Sequence, residues 1–172
     1  MSAKFTKIDP EKLDFNVFDE VGKRKLLITA YDGEKGRANP MTASWGTMGI
    51  LWNKPVCTLF IRPQRHTKPL VDACGVFSVN VLRKGYEDVY RVCGTVSGRD
   101  EDKVARCALT PFEVDGAYGF EESETVLIVK KLYAEYLKEG CFTDKSPLVN
   151  YGSGDFHMMY VCEIVAAYTS KN

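Results

Sequence analysis

Apolar residues recur along this chain with the spacing of β-strands, in short segments separated by turn residues. The clearest segment covers residues 76–82, where Phe77, Val79 and Val81 alternate with Ser78 and Asn80. A strand with this pattern turns its apolar side chains to one face and its hydrogen-bonding side chains to the other. The same reasoning predicts further strands over residues 25–31, 38–45, 56–61, 110–114, 125–137 and 156–168.

Only a few of the connecting segments have helical spacing. We predict a short helix that Thr67 caps and Gly75 ends, because proline in its first turn is favourable and apolar residues follow on one face. A second helix is predicted over residues 86–93, where Gly94 stops it, and a third runs through residues 104–107.

The other connections are predicted to be irregular. Residues 45–52 form a Gly-rich loop between two tryptophans, residues 117–120 contain too many glycines for a regular element, and residues 138–155 are polar and turn-rich. A helix remains an alternative for the second half of residues 125–137. Residues 1–21 are predicted to form an arm that packs without a long regular element, through three aromatic residues: Phe5, Phe15 and Phe18.

Strands separated by turns, with only short helical insertions, indicate a mainly β fold of barrel type. The turn residues between the first two strands, Asp32-Gly33 and Lys35-Gly36, predict that those strands pair as a hairpin. The chain contains no internal repeat, low-complexity segment or linker, so we predict one domain over residues 1–172.

Charge and composition narrow the functional classes. The 23 basic and 23 acidic residues balance, so no overall field attracts nucleic acid or an anionic membrane. The N-terminal residues lack the apolar core of a signal peptide, and no apolar run is long enough to span a bilayer. We therefore expect a cytoplasmic protein in which any recognition of phosphate is local.

The six cysteines show no Cys-x-x-Cys pair, and most of them lie in apolar runs. Cysteine in such runs behaves as a small buried hydrophobe. We predict reduced, mostly buried thiols, with Cys141 as the exposed one because it lies in a polar stretch. Since the sequence has only two histidines, a metal site is not expected.

The candidate chemistry is concentrated in residues 37–67. Small residues at Thr42, Ala43 and Ser44 would let a flat ligand approach the backbone, and Trp45 and Trp52 offer planar faces beside them. A planar group held here would lie one hairpin away from the basic turn that follows residues 56–61.

That basic turn has the pattern Arg62-x-x-Arg65-x-Thr67. Two guanidinium groups and a hydroxyl at the start of a helix can hold a phosphate, and the alternative is a solvated basic turn. A planar group at one end and a phosphate at the other outline a nucleotide cofactor. The sequence contains no G-x-G-x-x-G, no G-x-x-x-x-G-K-[ST] and no nucleophile elbow, so a flavin that brings its own reactivity is favoured.

Four motifs occur in order along the chain: N-P-M-T-A-S-W-G with L-W-N-K-P, then R-P-Q-R-H-T, then G-V-F-S-V-N-V-L, then C-G-T-V-S-G-R-D-E-D-K. Together they resemble the flavin reductase-like family of FMN-binding split-barrel flavoproteins, which includes flavoredoxin. The resemblance implies a split β-barrel with Greek-key-like strand order, a homodimer, and non-covalent FMN near the subunit interface. It also implies electron transfer from NADH, NADPH or a ferredoxin-like protein.

The resemblance also implies a set of site residues. The ring and ribityl chain of FMN would lie along the motif that Asn39 opens, at Met41, Thr42, Ala43, Ser44 and Trp45. The phosphate would contact Arg62, Arg65, Thr67 and Lys68, with Ser97, Gly98 and Lys103 as a second anion-binding loop. Ser78 and Asn80 would face the site.

His157 corresponds to a histidine that lies close to the nicotinamide in some flavin reductases, and its alternative is a strand-end histidine bonded to backbone. Two other functions stay open. One is an FMN-binding electron carrier, sensor or storage protein without NAD(P)H turnover. The other is a single-strand nucleic-acid binder that uses the tryptophans and arginines, which the balanced charge disfavours.

Overall fold

The computed structural model describes residues 4–14 and 16–171. Within them the chain forms ten strands and three α-helices, with short 3-10 and π-helical turns. The strands are β1 Phe5–Ile8, β2 Leu26–Asp32, β3 Arg37–Ala43, β4 Gly46–Leu51, β5 Lys54–Ile61, β6 Val76–Leu82, β7 Pro111–Val114, β8 Ala117–Phe120, β9 Ser123–Tyr136 and β10 Met158–Ser170. The α-helices are α1 Thr67–Ala73, α2 Glu87–Thr95 and α3 Lys103–Arg106. The predicted mainly β class is confirmed.

Eight strands form one antiparallel sheet in the order β3-β2-β6-β9-β10-β5-β4, with β1 added beside β10. Strands β2 and β3 pair as the predicted hairpin, from Leu26 opposite Ala43 to Asp32 opposite Arg37. Strands β7 and β8 form a separate two-stranded sheet. Neighbours that are distant in sequence, such as β2 and β6, give the crossovers expected of a Greek-key-like order.

Two predicted irregular segments are strands. Residues 46–51 are β4, which pairs with β5 from Gly46 opposite Leu59 to Leu51 opposite Lys54. Trp52 and Asn53 make the turn between them with φ of 53° and 56°, the left-handed conformation that both central residues adopt in a type I′ hairpin turn. The prediction of a loop was wrong because glycine is tolerated at the edge of a sheet.

Residues 117–120 are β8, so the prediction that their glycines exclude a regular element was also wrong. A Cβ added at Gly119 would lie 2.6 Å from Cζ of Phe112, which is on the opposite strand. Glycine is therefore required here because an aromatic ring lies across the strand.

The N-terminal arm contains short regular elements. Strand β1 pairs with β10, and residues Phe18–Arg24 form a π-helix that ends just before β2. Residues 1–3 and Phe15 lie outside the described residues. The predicted strand over residues 125–137 is confirmed as β9, and its helical alternative is excluded.

The core confirms the alternation of β6. Phe77, Val79 and Val81 belong to the largest apolar cluster, which fills the barrel. All six cysteines are free: Cys141 is the exposed one, while Cys57, Cys93 and Cys162 are buried, as predicted. Within residues 4–14 and 16–171, no helix combines the length and apolar character needed to cross a membrane.

Candidate functional site

The groove of interest lies where the sheet fails to close. Strands β3 and β4 are its two terminal strands, and only Ser44 and Trp45 connect them. The pairing of β4 with β5 stops at Leu59, so Phe60 continues β5 without a neighbour on that side. The open edge of β3 and the end of β5 therefore form the two walls of a groove.

This groove, which we call the ring pocket, has a volume of about 200 Å³. Its walls come from the end of β3, the end of β5 and the start of β10. The lining residues are Met41, Thr42, Ala43, Ser44, Trp45, Phe60, Arg62, Arg65 and His157.

A second cavity of about 100 Å³, which we call the anion pocket, adjoins the first, and Arg65 lines both. It lies between the start of α1, the end of α2 and the loop that leads to α3. Its lining residues are Gln64, Arg65, His66, Thr67, Gly94, Thr95, Val96, Ser97, Gly98 and Lys103. Most of the predicted site residues thus line one of two adjoining pockets.

Ser78 and Asn80 do not, and their predicted orientation toward the site is corrected. The Ser78 hydroxyl donates to the backbone oxygen of Tyr118, and the Asn80 amide donates to the hydroxyls of Thr29 and Ser78. Strand β8 covers this face of β6, so the polar side chains serve a buried network inside the protein. The alternation was predicted correctly, but which layer covers the polar face is decided by the distant hairpin β7–β8.

Three further predictions are corrected by geometry. The Lys68 amino group binds Asp72, one turn along α1, and lines neither pocket. Trp52 lies at the β4–β5 turn, away from both pockets. Thr67 is the first residue of α1 rather than its cap, and its hydroxyl accepts a hydrogen bond of 2.7 Å from the Asn39 amide. Asn39 is thus buried behind the anion pocket.

The two arginines of the predicted clamp have different surroundings. Arg62 forms an ion pair with Asp155 and donates to the backbone oxygen of Asn150, so its charge is already compensated. Arg65 donates to the backbone oxygens of Cys93 and Gly94, at 2.9 Å and 2.8 Å, and has no carboxylate partner among the described residues. Of the two, Arg65 keeps a net positive charge for a ligand.

Lys103 is the second uncompensated cation. Its side chain is only 3% exposed, lines the anion pocket, and has neither a hydrogen bond nor an ion pair within the described part of the chain. Burial, and to a lesser degree the charges of Arg65 and Arg37, lower its pKa to about 8. A buried cation without a partner is costly unless a ligand supplies the anion.

His157 lies at the other end, in the ring pocket. Its ring centroid is 4.9 Å from that of Trp45, and its Nδ1 lies 3.0 Å from the hydroxyl of Tyr151. Burial, with the charge of Arg62 second, lowers the pKa of His157 to about 4. The imidazole is therefore neutral at physiological pH.

A family model described as the flavin reductase like domain matches residues 20–172 of the sequence. The chain belongs to the flavin reductase-like family. The family that the motifs indicated is thereby confirmed.

Solved structures support the same fold. An FMN-binding protein from Thermus thermophilus is 21% identical, with a TM-score of 0.68 over 93% of this chain and 78% of that one. A protein with a split barrel domain from Shewanella frigidimarina is 20% identical, with a TM-score of 0.68 over 95% of this chain and 78% of that one. At these identities the likeness shows the fold, and the predicted split barrel is confirmed.

A curated sequence relative is the uncharacterized protein YddH of Escherichia coli K12. It is 31% identical over 78 residues, which are 45% of this chain. The matched part spans 41% of that relative's length.

The family motifs did not indicate every residue of the site. Phe60 lines the ring pocket from within a run predicted only as a buried strand. Lys35 and Arg37 donate to the backbone oxygen of Gly98 and so hold the loop of the anion pocket from outside. Tyr151, which contacts His157, lies in Y-G-S-G-D-F-H, where an aromatic residue close to a histidine is the only local signal.

Proposed function

We propose that this chain binds FMN across the two pockets and acts as an oxidoreductase of the flavin reductase type. The observation that carries the proposal is the position of two cations without carboxylate partners among the described residues, the buried Lys103 and the half-buried Arg65, which line one pocket beside the groove. A dianionic phosphate would compensate both charges.

The anion pocket fits a phosphate monoester in further respects. Ser97 and Gly98 line it together with Thr67, the first residue of α1. Lys35 and Arg37 fix the carbonyl side of this loop. The loop is thus held in place before a ligand arrives, which lowers the entropy that binding must remove.

The ring pocket fits a flat heterocycle. Strand β3 pairs only with β2 among the described strands, so the outer N–H and C=O groups of residues 41–43 are available to a ligand edge. Trp45 and Phe60 supply apolar faces to the lining of this pocket. Bound FMN would supply reversible hydride and single-electron chemistry. The chain's own residues would orient it, exclude water and donate hydrogen bonds, with neutral His157 beside the ring.

We propose NADH or NADPH as the electron donor, with a ferredoxin-like protein as the alternative. The test is to load the protein with FMN, monitor binding by flavin fluorescence, and then mix it anaerobically with each donor in a stopped-flow instrument. We expect flavin absorbance to bleach at catalytic rates with a pyridine nucleotide, and the complex with FMN to melt at a higher temperature than the free protein.

The three other results have distinct meanings. Bleaching by the protein donor alone would identify an electron carrier. Binding of FMN without reduction by any donor would leave a sensor or storage protein. Absence of FMN binding, with a shift on single-stranded DNA, would reject the proposal altogether.

We further propose that the protein is a homodimer formed through the β4 edge. Strand β4 is a terminal strand whose hairpin exposes Ile50 at 63% and Trp52 at 56%. Phe18 of the π-helix is also exposed, at 86%, and an apolar cavity of about 490 Å³ lies between that helix and β4. Exposed apolar edges of this kind are typical of interfaces.

Sedimentation should therefore give a dimer at micromolar concentration. Trp52→Asp should raise the dimer dissociation constant at least about tenfold, since a tryptophan that becomes buried at an interface is a typical hot spot. Val149→Asp is the matched control, because Val149 is 85% exposed but belongs to the 3-10 segment Ser146–Tyr151 and not to the β4–β5 hairpin. A wild-type monomer with FMN bound would contradict the proposal.

A further inference from the structure

Tyr151 has contacts that hold it in one orientation. Its ring stacks on Phe156 with centroids 4.7 Å apart and planes at 18°, and the side chain is buried. The guanidinium of Arg62 lies over the same ring at 5.6 Å, and Phe142 packs against it at 5.9 Å. Its hydroxyl is therefore placed by packing rather than free to rotate away.

That hydroxyl meets Nδ1 of His157 at 3.0 Å, and no other hydrogen bond of the hydroxyl is present among the described residues. A neutral imidazole has one donor nitrogen and one acceptor nitrogen. The phenol keeps its proton at physiological pH, since burial raises the pKa of Tyr151 above its usual value. With the phenol as donor, Nδ1 accepts and the ring proton is on Nε2.

Nε2 has no partner within residues 4–14 and 16–171, and the imidazole lines the ring pocket. The charged groups that face this histidine are Arg62, at the end of β5, and Asp155, two residues before it. The Asp155 carboxylate, the one possible acceptor of these two, is engaged by Arg62 in an ion pair and forms no hydrogen bond with the ring among the described residues. An N–H at Nε2 is thus available to a ligand in the groove.

We propose that Tyr151 is a positioning residue, which fixes His157 as the tautomer that carries its proton on Nε2 and presents it to the ring pocket. The use of that proton toward a flavin or its substrate rests on the proposed function, whereas the tautomer does not. Arg62 forms an ion pair with Asp155 and donates a hydrogen bond to the backbone oxygen of Asn150. These two contacts restrain residues 150–155 and therefore the position of Tyr151.

The experiment is a long-range ¹⁵N–¹H correlation spectrum of the full-length labelled protein at pH 7, recorded with and without FMN. The sequence has only two histidines, so His66 is an internal reference in the same spectrum. We expect His157 to show an unprotonated Nδ1 and a protonated Nε2. In Tyr151→Phe we expect a mixture of tautomers at His157 and no change at His66.

Tyr133→Phe is the matched control, because it removes the same atom from an exposed tyrosine of β9. We expect the rate of FMN reduction by NADH to fall about tenfold in Tyr151→Phe, by analogy with the lower end of the loss caused by removing a partner that orients a metal-ligating histidine. The affinity for FMN should change less than twofold, and Tyr133→Phe should behave as wild type.

Two results would overturn the proposal: a wild-type His157 protonated on Nδ1, or a Tyr151→Phe protein with wild-type tautomer and rate. The wild-type spectrum alone decides the first, whether or not the variant folds. A protein that fails to bind FMN would reject the proposed function, but its spectrum would still decide the role of Tyr151.

Discussion

Replacing Lys103 with methionine should weaken FMN binding about 10- to 150-fold, because a charge-assisted contact contributes about 1.5–3 kcal/mol. The same change should stabilise the ligand-free protein. Lys103 is buried without a partner, and its pKa is lowered from 10.5 to about 8, so its charged form is disfavoured in the folded state. Each pKa unit between the folded and unfolded states corresponds to ~1.4 kcal/mol of folding free energy. Because methionine carries no charge and avoids this cost, the melting temperature of the free protein should rise by about 5 °C or more.

Riboflavin, which lacks the phosphate, is the control ligand. Its affinity should be the same for wild type and Lys103→Met within about twofold. The measurement is a fluorescence titration of both flavins, with thermal unfolding of the free proteins at pH 7. A variant that loses FMN and riboflavin equally would show that Lys103 supports the fold of the pocket rather than the phosphate.

The wild-type affinity for FMN should also depend on pH in a defined direction. Below about pH 8, Lys103 is protonated in the free protein and attracts the phosphate. As the pH rises through 8 the lysine loses its proton, and FMN affinity should fall. The phosphate takes up a proton below about pH 6, so affinity should be greatest between the two values. Lys103→Met should abolish only the loss on the alkaline side.

The sequence was sufficient to predict the parts of the site that are local along the chain. Residues 41–45 form one wall of the ring pocket because a strand edge and its small side chains are consecutive. Arg65 and Thr67 also lie close together in sequence, in the turn that leads into α1, and both line the anion pocket. Predicting these residues does not require knowing how distant elements pack.

The parts that could not be predicted depend on distant partners. Arg62 was expected at the phosphate, but Asp155 lies 93 residues away in sequence and neutralises it. Ser78 and Asn80 alternate as predicted, yet β8 covers their face. Residues 46–51 were predicted as a loop, but they form strand β4 at the edge of the sheet, where glycines and exposed apolar residues are tolerated. Which strand lies at the edge depends on how the whole sheet assembles, so the local sequence cannot show it.

Substituting alanine at Gly98 should disrupt the anion pocket, whereas the same substitution at Gly94 should not. A Cβ at Gly98 would lie 1.8 Å from Oδ1 of Asn39, whose side chain is buried and donates to Thr67. Asn39 cannot yield without breaking that hydrogen bond. The loop cannot retreat either, since Lys35 and Arg37 hold the Gly98 carbonyl. We expect a destabilisation of about 1–3 kcal/mol, as for overpacking of a filled site.

Gly94 is the matched control because it lines the same pocket but has room for a methyl group. A Cβ there would approach no atom closer than Cβ of Thr42, at 3.6 Å, which is ordinary contact. Gly94 lies within α2, where alanine is favoured over glycine by about 0.5–1 kcal/mol. Gly94→Ala should therefore keep FMN affinity within about twofold and melt slightly higher. Gly98→Ala should lose affinity for FMN more than for riboflavin, because in the proposed binding mode the displaced loop contacts only the phosphate end. Equal behaviour of the two variants in titration and thermal unfolding would contradict the assignment of this loop to the phosphate.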